Sequence, residues 1–313
     1  MMNKYNTIII VGPTACGKTG LSLELAKALK TEVIGADSQQ VYKDLNIGTA
    51  KVTEIEKQNI KHHMIDIVSP ESKFSVADYK DMAMPIIENL IHNNKIPIIV
   101  GGTGFYIDAI IGNNTYGQCP ANSHIRQKYE QLLEQYGNEH IYSILEQIDP
   151  ETAKKLHKND IKRIIRALEI FETTGKTKSQ HEKDNQALCN SSIIKPFIVG
   201  LNLSTRDKLY NKINNRVDIM FDNGLEEEIK ALLESGLDRN SQSLQAIGYK
   251  EFFDYIDNMI SLIDLKDLIK LNTRHYAKRQ ITYFKRLNIA KWYNTDELTT
   301  ESIVQDLLNQ INN

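Results

Sequence analysis

The first third of the chain alternates short apolar runs with amphipathic stretches. The apolar runs, at residues 7–11, 32–36 and 96–100, predict buried strands. The stretches that follow Lys18 and Ser75 repeat apolar residues at helical spacing, which predicts two helices. Strands that alternate with helices are typical of a parallel sheet, so we predict an α/β fold.

The pattern changes at about residue 113. After a polar, turn-rich segment, helical patterns with no strand between them lie at residues 122–136, 138–147 and 151–174. An apolar run at residues 196–201 indicates a return to the sheet, and helical patterns dominate the rest of the chain. We therefore predict a core formed by residues 1–112 and 196–313, with a helical insertion domain at residues 113–195.

The segment that joins the first strand to the first helix has the spacing of a phosphate-binding P-loop. It reads Gly12-Pro13-Thr14-Ala15-Cys16-Gly17-Lys18-Thr19. Its glycines allow backbone N–H groups to point at an anion, Lys18 supplies a positive charge, and the Thr19 hydroxyl can bind Mg²⁺. We predict a P-loop NTPase-like core that binds a di- or triphosphate. Kinases, NTPases and other transferases all share this property.

Two further strand ends should face the P-loop, because ligands of open α/β sheets bind at the carboxyl ends of the strands. Asp37 follows the second strand, where it is either a catalytic carboxylate or only an N-cap for the next turn. Thr103 follows Gly101 and Gly102 at the end of the third strand. It can cap a helix and also offer its hydroxyl to a substrate.

The formal net charge is −2, so the protein as a whole has no positive field that would attract nucleic acid. A local basic cluster lies in the predicted insertion, where acidic residues are sparse, and consists of Lys154, Lys155, His157, Lys158, Lys162, Arg163 and Arg166. Lys162, Arg163 and Arg166 share one side of a helix by their spacing. This side is either a contact for a phosphate backbone or a solvated helix face.

The spacing of the cysteines and the hydropathy of the chain indicate the cellular compartment of the protein. The three cysteines are widely spaced and match no metal or disulfide pattern. No apolar run has the length of a membrane span, and the residues before the first strand do not resemble a signal peptide. We expect a cytoplasmic protein with no membrane partner.

Several motifs together resemble the tRNA dimethylallyltransferases, also called tRNA isopentenyltransferases. The chain lacks the C-terminal zinc finger that eukaryotic relatives often carry, so the resemblance is to the bacterial type. The segments that carry it occur in the family's order and are the P-loop, Asp37-Ser38-Gln39-Gln40-Val41-Tyr42, Ile47-Gly48-Thr49-Ala50-Lys51, His62-His63-Met64-Ile65-Asp66, Gly101-Gly102-Thr103-Gly104-Phe105-Tyr106, residues 159–169, Gly248-Tyr249-Lys250-Glu251 and Ala277-Lys278-Arg279-Gln280-Ile281-Thr282.

The resemblance implies a reaction and a set of site residues. A dimethylallyl group would pass from dimethylallyl diphosphate to N6 of the adenine 3′ to the anticodon, in tRNAs that read codons beginning with U. By family match the whole P-loop, Gly12 to Thr19, holds the donor diphosphate with Mg²⁺ at Thr19, and Arg216 clamps the leaving group. Asp37 would take the proton from N6, and Thr103 would contact the substrate beside it.

The resemblance also implies tRNA contacts and one departure from the family. The contact positions, at which we expect the anticodon stem-loop, are Asp37, Ser38, Gln39, Gln40, Thr103, Arg126, Lys162, Arg163, Ile164, Ile165, Arg166, Gln245, Gly248 and Lys250. Cys16 stands where the family more often has serine, which could make the site sensitive to oxidation. We expect the protein to act as a monomer.

Three other functions remain open from the sequence. A small-molecule kinase would share the P-loop and a carboxylate at the second strand end. An adenylate isopentenyltransferase would use the same donor and Asp37 on free AMP, ADP or ATP. A non-enzymatic nucleotide-gated switch would bind a partner and would retain its function without Asp37.

Overall fold

The computed structural model describes residues 4–112, 122–188 and 193–312. The chain divides into two compact units, the first formed by Met1–Ile107 with Ile193–Asn313 and the second by Asp108–Ser192. The sequence pattern places the corresponding boundaries a few residues later at both ends. Cys119 and Cys189 lie outside the described residues.

The first unit contains a parallel sheet of six strands, so the predicted α/β fold class is confirmed. Their order across the sheet is β3-β2-β4-β1-β5-β6. The strands are Thr7–Val11 (β1), Val33–Gly35 (β2), His62–His63 (β3), Ile98–Gly101 (β4), Pro196–Asn202 (β5) and Lys291–Asn294 (β6). Strand β1 is buried along its whole length, as expected for a central parallel strand covered on both faces.

Helices cover the sheet and complete the first unit. Those before the second unit are Lys18–Leu29 (α1), Glu54–Lys57 (α2), Val76–His92 (α3) and Gly104–Ile110 (α4). The helix α3 begins with a capping box, in which Ser75 and Asp78 exchange side-chain to backbone hydrogen bonds.

The second unit is helical, as predicted, but its helix boundaries differ from the prediction. Its helices are Ser123–Ile148 (α5), Pro150–Ala153 (α6), Ile161–Thr174 (α7) and Lys178–Leu188 (α8). The helix α5 merges two predicted helices across a kink at Gly137, where φ is 77°. A single helix at 151–174 is wrong, because residues 154–160 form turns in which Lys155, Leu156 and Asp160 bond three residues back.

After the return to the sheet, the remaining helices pack on the first unit. They are Arg206–Asp222 (α9), Leu225–Glu234 (α10), Phe252–Ile256 (α11), Leu262–Phe284 (α12) and Thr300–Asn312 (α13). The main core lies between the sheet and helices α1, α9 and α13, where Ile8, Leu25, Val199, Ile213 and Leu307 are fully buried or nearly so.

The strand order brings three loops together. Strands β2, β4 and β1 are neighbours, so their carboxyl ends deliver Asp37, the segment after Gly101 and the P-loop to one edge of the sheet. The backbones approach closely there, because a Cβ on Gly101 would lie 2.0 Å from the Ala36 carbonyl oxygen. The Ala36 oxygen also accepts the backbone N–H of Thr103 at 3.1 Å.

Candidate active site

The P-loop has the backbone expected of an anion cradle. Gly17 is the N-cap residue of α1 and has φ of 90°, a conformation that favours glycine. No side-chain cap bonds the first turn of α1, so its N–H groups are available to an anion. Gly12 packs against the Leu201 carbonyl oxygen, which a Cβ would approach to 2.4 Å.

Lys18 lies within this loop. Its Nζ donates to the Gly12 carbonyl at 2.9 Å and to the Pro13 carbonyl at 2.7 Å. Burial lowers the pKa of Lys18, and the charge of Arg216 lowers it further. The Lys18 ammonium is thus poorly solvated, which makes an arriving phosphate a favourable partner.

Arg216 reaches the same loop from α9. Its guanidinium donates to the Thr14 hydroxyl at 3.0 Å, across 202 positions of sequence. Burial lowers the pKa of Arg216, but an arginine remains protonated at any physiological pH. Two half-buried cations, Lys18 and Arg216, therefore lie beside a single loop, an arrangement that favours an anionic ligand.

Asp37 caps a turn and also lines two cavities. Its Oδ1 accepts the backbone N–H of Gln39 at 2.9 Å and that of Gln40 at 3.4 Å, so it caps the turn after β2. It also lines two cavities, a small one that it shares with Lys18 and Thr19 and a larger one that it shares with Arg216. Asp37 is therefore shared by the cavity beside the P-loop and the larger cavity.

Thr103 ties its segment to that of Asp37. Its Oγ1 accepts the Ser38 backbone N–H at 2.9 Å and donates to the Ser38 hydroxyl at 3.3 Å. Thr103 precedes helix α4, which begins at Gly104. It therefore helps to fix the backbone on which Asp37 sits.

The larger cavity has a volume of about 330 Å³, within the usual range for ligand sites. Its lining includes Thr14, Asp37 and Arg216. Residues 48–50 form one wall, and residues 245–248 with Lys250 form another. Tyr276 and Arg279 of α12 complete the lining. The smaller cavity, of about 60 Å³, is lined by Lys18, Thr19, Asp37 and Gln40 among others.

Two residues of α12 contribute to the site in ways that sequence reasoning did not predict. Burial raises the pKa of Tyr276, and the charge of Asp37 raises it further, so its hydroxyl stays protonated. Hydrogen bonding to Thr103 and Gln280 only partly offsets this rise. Gln280 accepts the Thr14 backbone N–H at 2.9 Å and donates to the Gly102 carbonyl at 3.0 Å. Gln280 belongs to a segment that carries the family resemblance. Its hydrogen-bond partners, Thr14 and Gly102, are so distant in sequence that residue spacing cannot predict them.

A third unpredicted residue, Glu228 of α10, holds two walls of the larger cavity. Its carboxylate accepts the backbone N–H groups of Asn46, Ile47 and Gly48 at 2.8–3.2 Å. It also accepts the Tyr249 hydroxyl at 2.6 Å. The Tyr249 ring is fully buried against Gly48, where a Cβ would lie 2.5 Å from the ring. The sequence shows only an acidic helix at this position.

The other predicted tRNA contacts of the first unit lie around the same cavity. Ser38, Gln39, Gln245, Gly248 and Lys250 line it. Lys250 is exposed, and Gly248 has φ of 96°. Gln40 lines the smaller cavity and donates to the Thr49 carbonyl at 3.0 Å.

The predicted contacts of the second unit divide into paired, exposed and buried residues. Arg126 and Arg166 both bond the carboxylate of Glu169, which is fully buried. Burial alone would raise the pKa of Glu169, but hydrogen bonds from Arg166, the Asn122 N–H and Arg126 hold it below its usual range. These arginines therefore have a structural role in addition to any contact with RNA.

Lys162 and Arg163 are exposed on α7. Arg163 pairs with Asp160 at 2.8 Å, whereas Lys162 forms no ion pair within the described part of the chain. Ile164 and Ile165 are buried in the core of this unit, with exposed fractions of 0% and 6%. Their side chains do not face solvent, so an RNA contact at these positions could not rely on them.

The basic cluster is less free of acids than the sequence indicates. Lys155 pairs with Glu182 and Lys158 pairs with Glu139, which come from helices outside the basic segment. Acidic residues are sparse within the segment itself, but folding brings carboxylates of other helices to it. On α7, Lys162 is the cation that has no ion-pair partner among the described residues.

The residues present fit Mg²⁺ better than a metal held by protein alone. The described residues contain no group of three or more His, Cys, Asp or Glu side chains suited to a metal. The Thr19 hydroxyl and the Asp37 carboxylate, both oxygen ligands, line the same small cavity. Mg²⁺ is commonly bound by one or two protein oxygens together with phosphates and water.

Cys16 has a different environment from that expected of a reactive thiol. It is fully buried, and burial raises the pKa of its thiol despite the charge of Lys18 nearby. Because the thiolate is the reactive form, this environment disfavours oxidation at Cys16.

No helix in the described ranges is long and apolar enough to cross a membrane.

Comparison with known proteins gives consistent results. A family model described as IPP transferase matches residues 40–287. The chain is 46% identical to the tRNA dimethylallyltransferase of Caldanaerobacter subterraneus subsp. tengcongensis, over 94% of this chain and 93% of that protein. It is 43% identical to the tRNA dimethylallyltransferase of Anoxybacillus flavithermus, over 97% of this chain and 95% of that protein.

Solved structures agree with these sequence matches. The crystal structure of a tRNA isopentenylpyrophosphate transferase from Bacillus halodurans superposes with a TM-score of 0.72 at 39% identity, over 98% of this chain and 95% of that one. A eukaryotic dimethylallyltransferase acting on tRNA superposes with a TM-score of 0.77 at 29% identity, over 97% of this chain and 79% of that one.

Proposed function

The chain belongs to the IPP transferase family, and from this premise we propose that it transfers a dimethylallyl group to tRNA. The donor would be dimethylallyl diphosphate, and the acceptor N6 of the adenine 3′ to the anticodon, in tRNAs that read codons beginning with U. The observation that carries the proposal is the position of Asp37, which lines both the cavity beside Lys18 and the cavity beside Arg216.

The P-loop would stabilise the leaving group. The allylic C–O bond breaks more easily when the departing diphosphate is neutralised, and N–H groups of the loop, Lys18 and Arg216 are positioned to do so. Bound Mg²⁺ would supply further positive charge to the diphosphate oxygens, with Thr19 as its protein ligand. The same loop fits the phosphates of a nucleotide, as the P-loop motif alone predicts.

Asp37 would act as the base. The N6 lone pair of adenine is delocalised into the ring, so N6 attacks well only if its proton is removed as the new N–C bond forms. The bond between N6 and the allylic carbon forms, the C–O bond to diphosphate breaks, and the N6 proton passes to the Asp37 carboxylate. Thr103, which bonds the Ser38 N–H next to Asp37, and the protonated Tyr276, which lines the same cavity as Asp37, would orient the adenine.

The acceptor base must leave its stack to enter the cavity, which costs a few kcal/mol. Contacts elsewhere on the RNA would offset this cost. The candidates in the first unit are Gln245, Gly248 and Lys250 at the cavity wall. The candidates in the second unit are Arg126, Lys162, Arg163 and Arg166. We propose that they contact the phosphates of the anticodon stem-loop, with one monomer acting on one tRNA.

A mass measurement tests the proposal. The protein is incubated with Mg²⁺, dimethylallyl diphosphate and either unmodified tRNA or AMP, and the products are weighed. We expect a gain of one C₅H₈ unit on the tRNA alone. A gain on AMP instead would indicate an adenylate isopentenyltransferase, and no gain on either with consumption of ATP would indicate a kinase. No gain with release of a bound partner on nucleotide addition would indicate a switch.

A further inference from the structure

Gln280 is a buried amide on α12 that connects two loops of the site. Its side chain is 5% exposed, although α12 is otherwise amphipathic with charged neighbours. Its Oε1 accepts the N–H of Thr14 in the P-loop, and its Nε2 donates to the carbonyl of Gly102, the residue before Thr103. Its segment belongs to those that carry the family resemblance, but the donor and acceptor roles described above assign no function to Gln280.

The bonding partners fix the orientation of the amide. The Thr14 N–H can only donate and the Gly102 carbonyl can only accept, so the Gln280 oxygen must face the P-loop. The contact with Gly102 is close, because a Cβ at that position would lie 2.2 Å from the Gln280 Nε2. Glutamate could not donate to Gly102 and methionine could bond neither partner, so the two bonds require an amide of this length.

Gln280 lies in a series of hydrogen bonds and adjacent residues that connects the P-loop to the segment of Asp37. Arg216 bonds the Thr14 hydroxyl, and Gln280 links Thr14 to Gly102. The next residue, Thr103, then bonds the Ser38 backbone N–H, directly after Asp37. Besides the backbone bonds of the sheet, this buried side chain therefore joins the leaving-group side of the site to its proton-accepting side.

We propose that Gln280 is a positioning residue that sets the spacing between the diphosphate loop and Asp37. The inference rests on the proposed transferase function, because that reaction needs the allylic carbon and N6 to meet at a defined distance. A misplacement of about 1 Å can cost about 100-fold in rate while leaving the bound groups in place. Loss of Gln280 should therefore slow transfer more than it weakens binding of either substrate.

The test compares Gln280→Met and Gln280→Glu with the wild type. Gln280→Met keeps the length of the side chain and removes both hydrogen bonds, and Gln280→Glu keeps only the bond to Thr14. Gln310→Met is the matched control, because Gln310 bonds Asp306 and Tyr293 on α13 and β6, away from the cavity. Measurements are single-turnover transfer from dimethylallyl diphosphate to tRNA, affinity for inorganic pyrophosphate, affinity for tRNA and thermal unfolding.

We expect both Gln280 variants to lose about 100-fold in single-turnover rate. Their affinities for pyrophosphate and tRNA should stay within about threefold of the wild type, and Gln310→Met should match the wild type in rate. Gly102→Ala should disturb the bond between Gln280 and the Gly102 carbonyl, because the added Cβ would lie 2.2 Å from the Gln280 Nε2. We expect this variant to reduce the single-turnover rate although Gln280 itself is unchanged. This variant keeps the test informative if Gln280→Met does not fold.

Two results would overturn the inference. One is a wild-type rate in folded Gln280→Glu and Gly102→Ala. The other is a rate loss that matches the loss of substrate affinity, which would make Gln280 a residue of binding or stability only. If the wild-type protein itself transfers no dimethylallyl group, the proposed function fails, and that outcome is distinct from both.

Discussion

In the proposed reaction Asp37 combines a structural and a chemical role in one side chain, and the two roles can be separated by mutation. One carboxylate oxygen caps the turn that contains Gln39 and Gln40, so Asp37→Ala would lose the cap together with the base. Asn keeps an acceptor oxygen for the cap and cannot take a proton from N6. Asp37→Asn is therefore the more informative substitution.

We expect Asp37→Asn to reduce turnover by about 10²–10⁴-fold, the usual contribution of a general base. Its affinity for tRNA and its melting temperature should stay close to those of the wild type. Asp37→Ala should show the same loss of turnover and, in addition, a loss of about 1 kcal/mol in stability from the missing cap. Steady-state kinetics, RNA binding and thermal unfolding measure the three quantities. Near-normal turnover in Asp37→Asn would remove Asp37 as the base.

Single residues of the site could be predicted where a motif or a strand end identified them. The structure brings Lys18, Arg216, Asp37 and Thr103 to one edge of the sheet, although their chemical roles stay predictions. Gln280 could not be assigned a role, because its two partners lie 266 and 178 positions away in sequence. A bond between such distant residues depends on the folded backbone and leaves no periodic signal.

Elements were predictable where their pattern was long or their cap was local. The helix α3 and its capping box follow from Ser75 and Asp78 alone. Strand β6 was missed because it has four residues, and its Trp292 is partly exposed while it covers Gly200 of β5. The helix predicted at 151–174 was wrong because Asp149 caps a first short helix and a second begins only after Asp160.

The hydrogen bond between Glu228 of α10 and Tyr249 connects this helix to the cavity walls, and its loss should lower stability. Tyr249→Phe keeps the ring against Gly48 and removes the hydrogen bond to Glu228. Because that bond joins a buried hydroxyl to a carboxylate, its loss should cost about 2 kcal/mol. Denaturant unfolding measures the change.

Tyr255→Phe is the matched control for this change. The Tyr255 hydroxyl lies 3.5 Å from a carboxylate oxygen of Glu226, which is on α10 like Glu228. Because this bond is long, removal of the hydroxyl should cost about 0.5 kcal/mol or less. Equal losses in the two variants would show that Glu228 does not hold the cavity wall through Tyr249.

The ends of three neighbouring strands share an ion pair network that should be sensitive to acid. Glu32, directly before β2, bonds His63 of β3 at 2.7 Å and Lys95 near β4 at 2.9 Å. Burial alone would raise the pKa of Glu32, but these two bonds lower it to about 2. Because the folded-state pKa lies below the ordinary value, the stabilisation is present above the ordinary carboxyl pKa and is lost as pH falls towards 2.

Glu32→Gln should therefore be less stable than the wild type at neutral pH. The gap between the two should narrow as pH falls below about 4.5. Urea unfolding at several pH values measures this gap, with Glu71→Gln as a control, since Glu71 is exposed and forms no ion pair within the described ranges. A gap that stays constant with pH would contradict the assigned role of Glu32.

On the scale of the whole molecule, the charges are nearly balanced and any contact with RNA must be local. The formal net charge is −2, and most cations of the second unit have carboxylate partners. Lys162 is exposed and has no such partner within the part of the chain that the structure describes. We therefore expect Lys162 to contribute more to phosphate binding than its paired neighbours.

Lys162→Ala should weaken tRNA binding and reduce the dependence of log affinity on log salt by about one unit of slope. Lys158→Ala is the control, because Lys158 already pairs with Glu139 and should release fewer ions on binding. Affinity measured at a series of salt concentrations gives both slopes. An unchanged slope in Lys162→Ala would place the RNA contact elsewhere.

The proposed function depends on transfer of a C₅ group to one adenine of a tRNA. The most direct measurement incubates the protein with Mg²⁺, dimethylallyl diphosphate and an anticodon stem-loop, then digests the RNA and weighs its nucleosides. We predict dimethylallyladenosine from the stem-loop with adenine 3′ to the anticodon, and none when guanine replaces that base. Modification of other adenines to the same extent, or of none, would contradict the account.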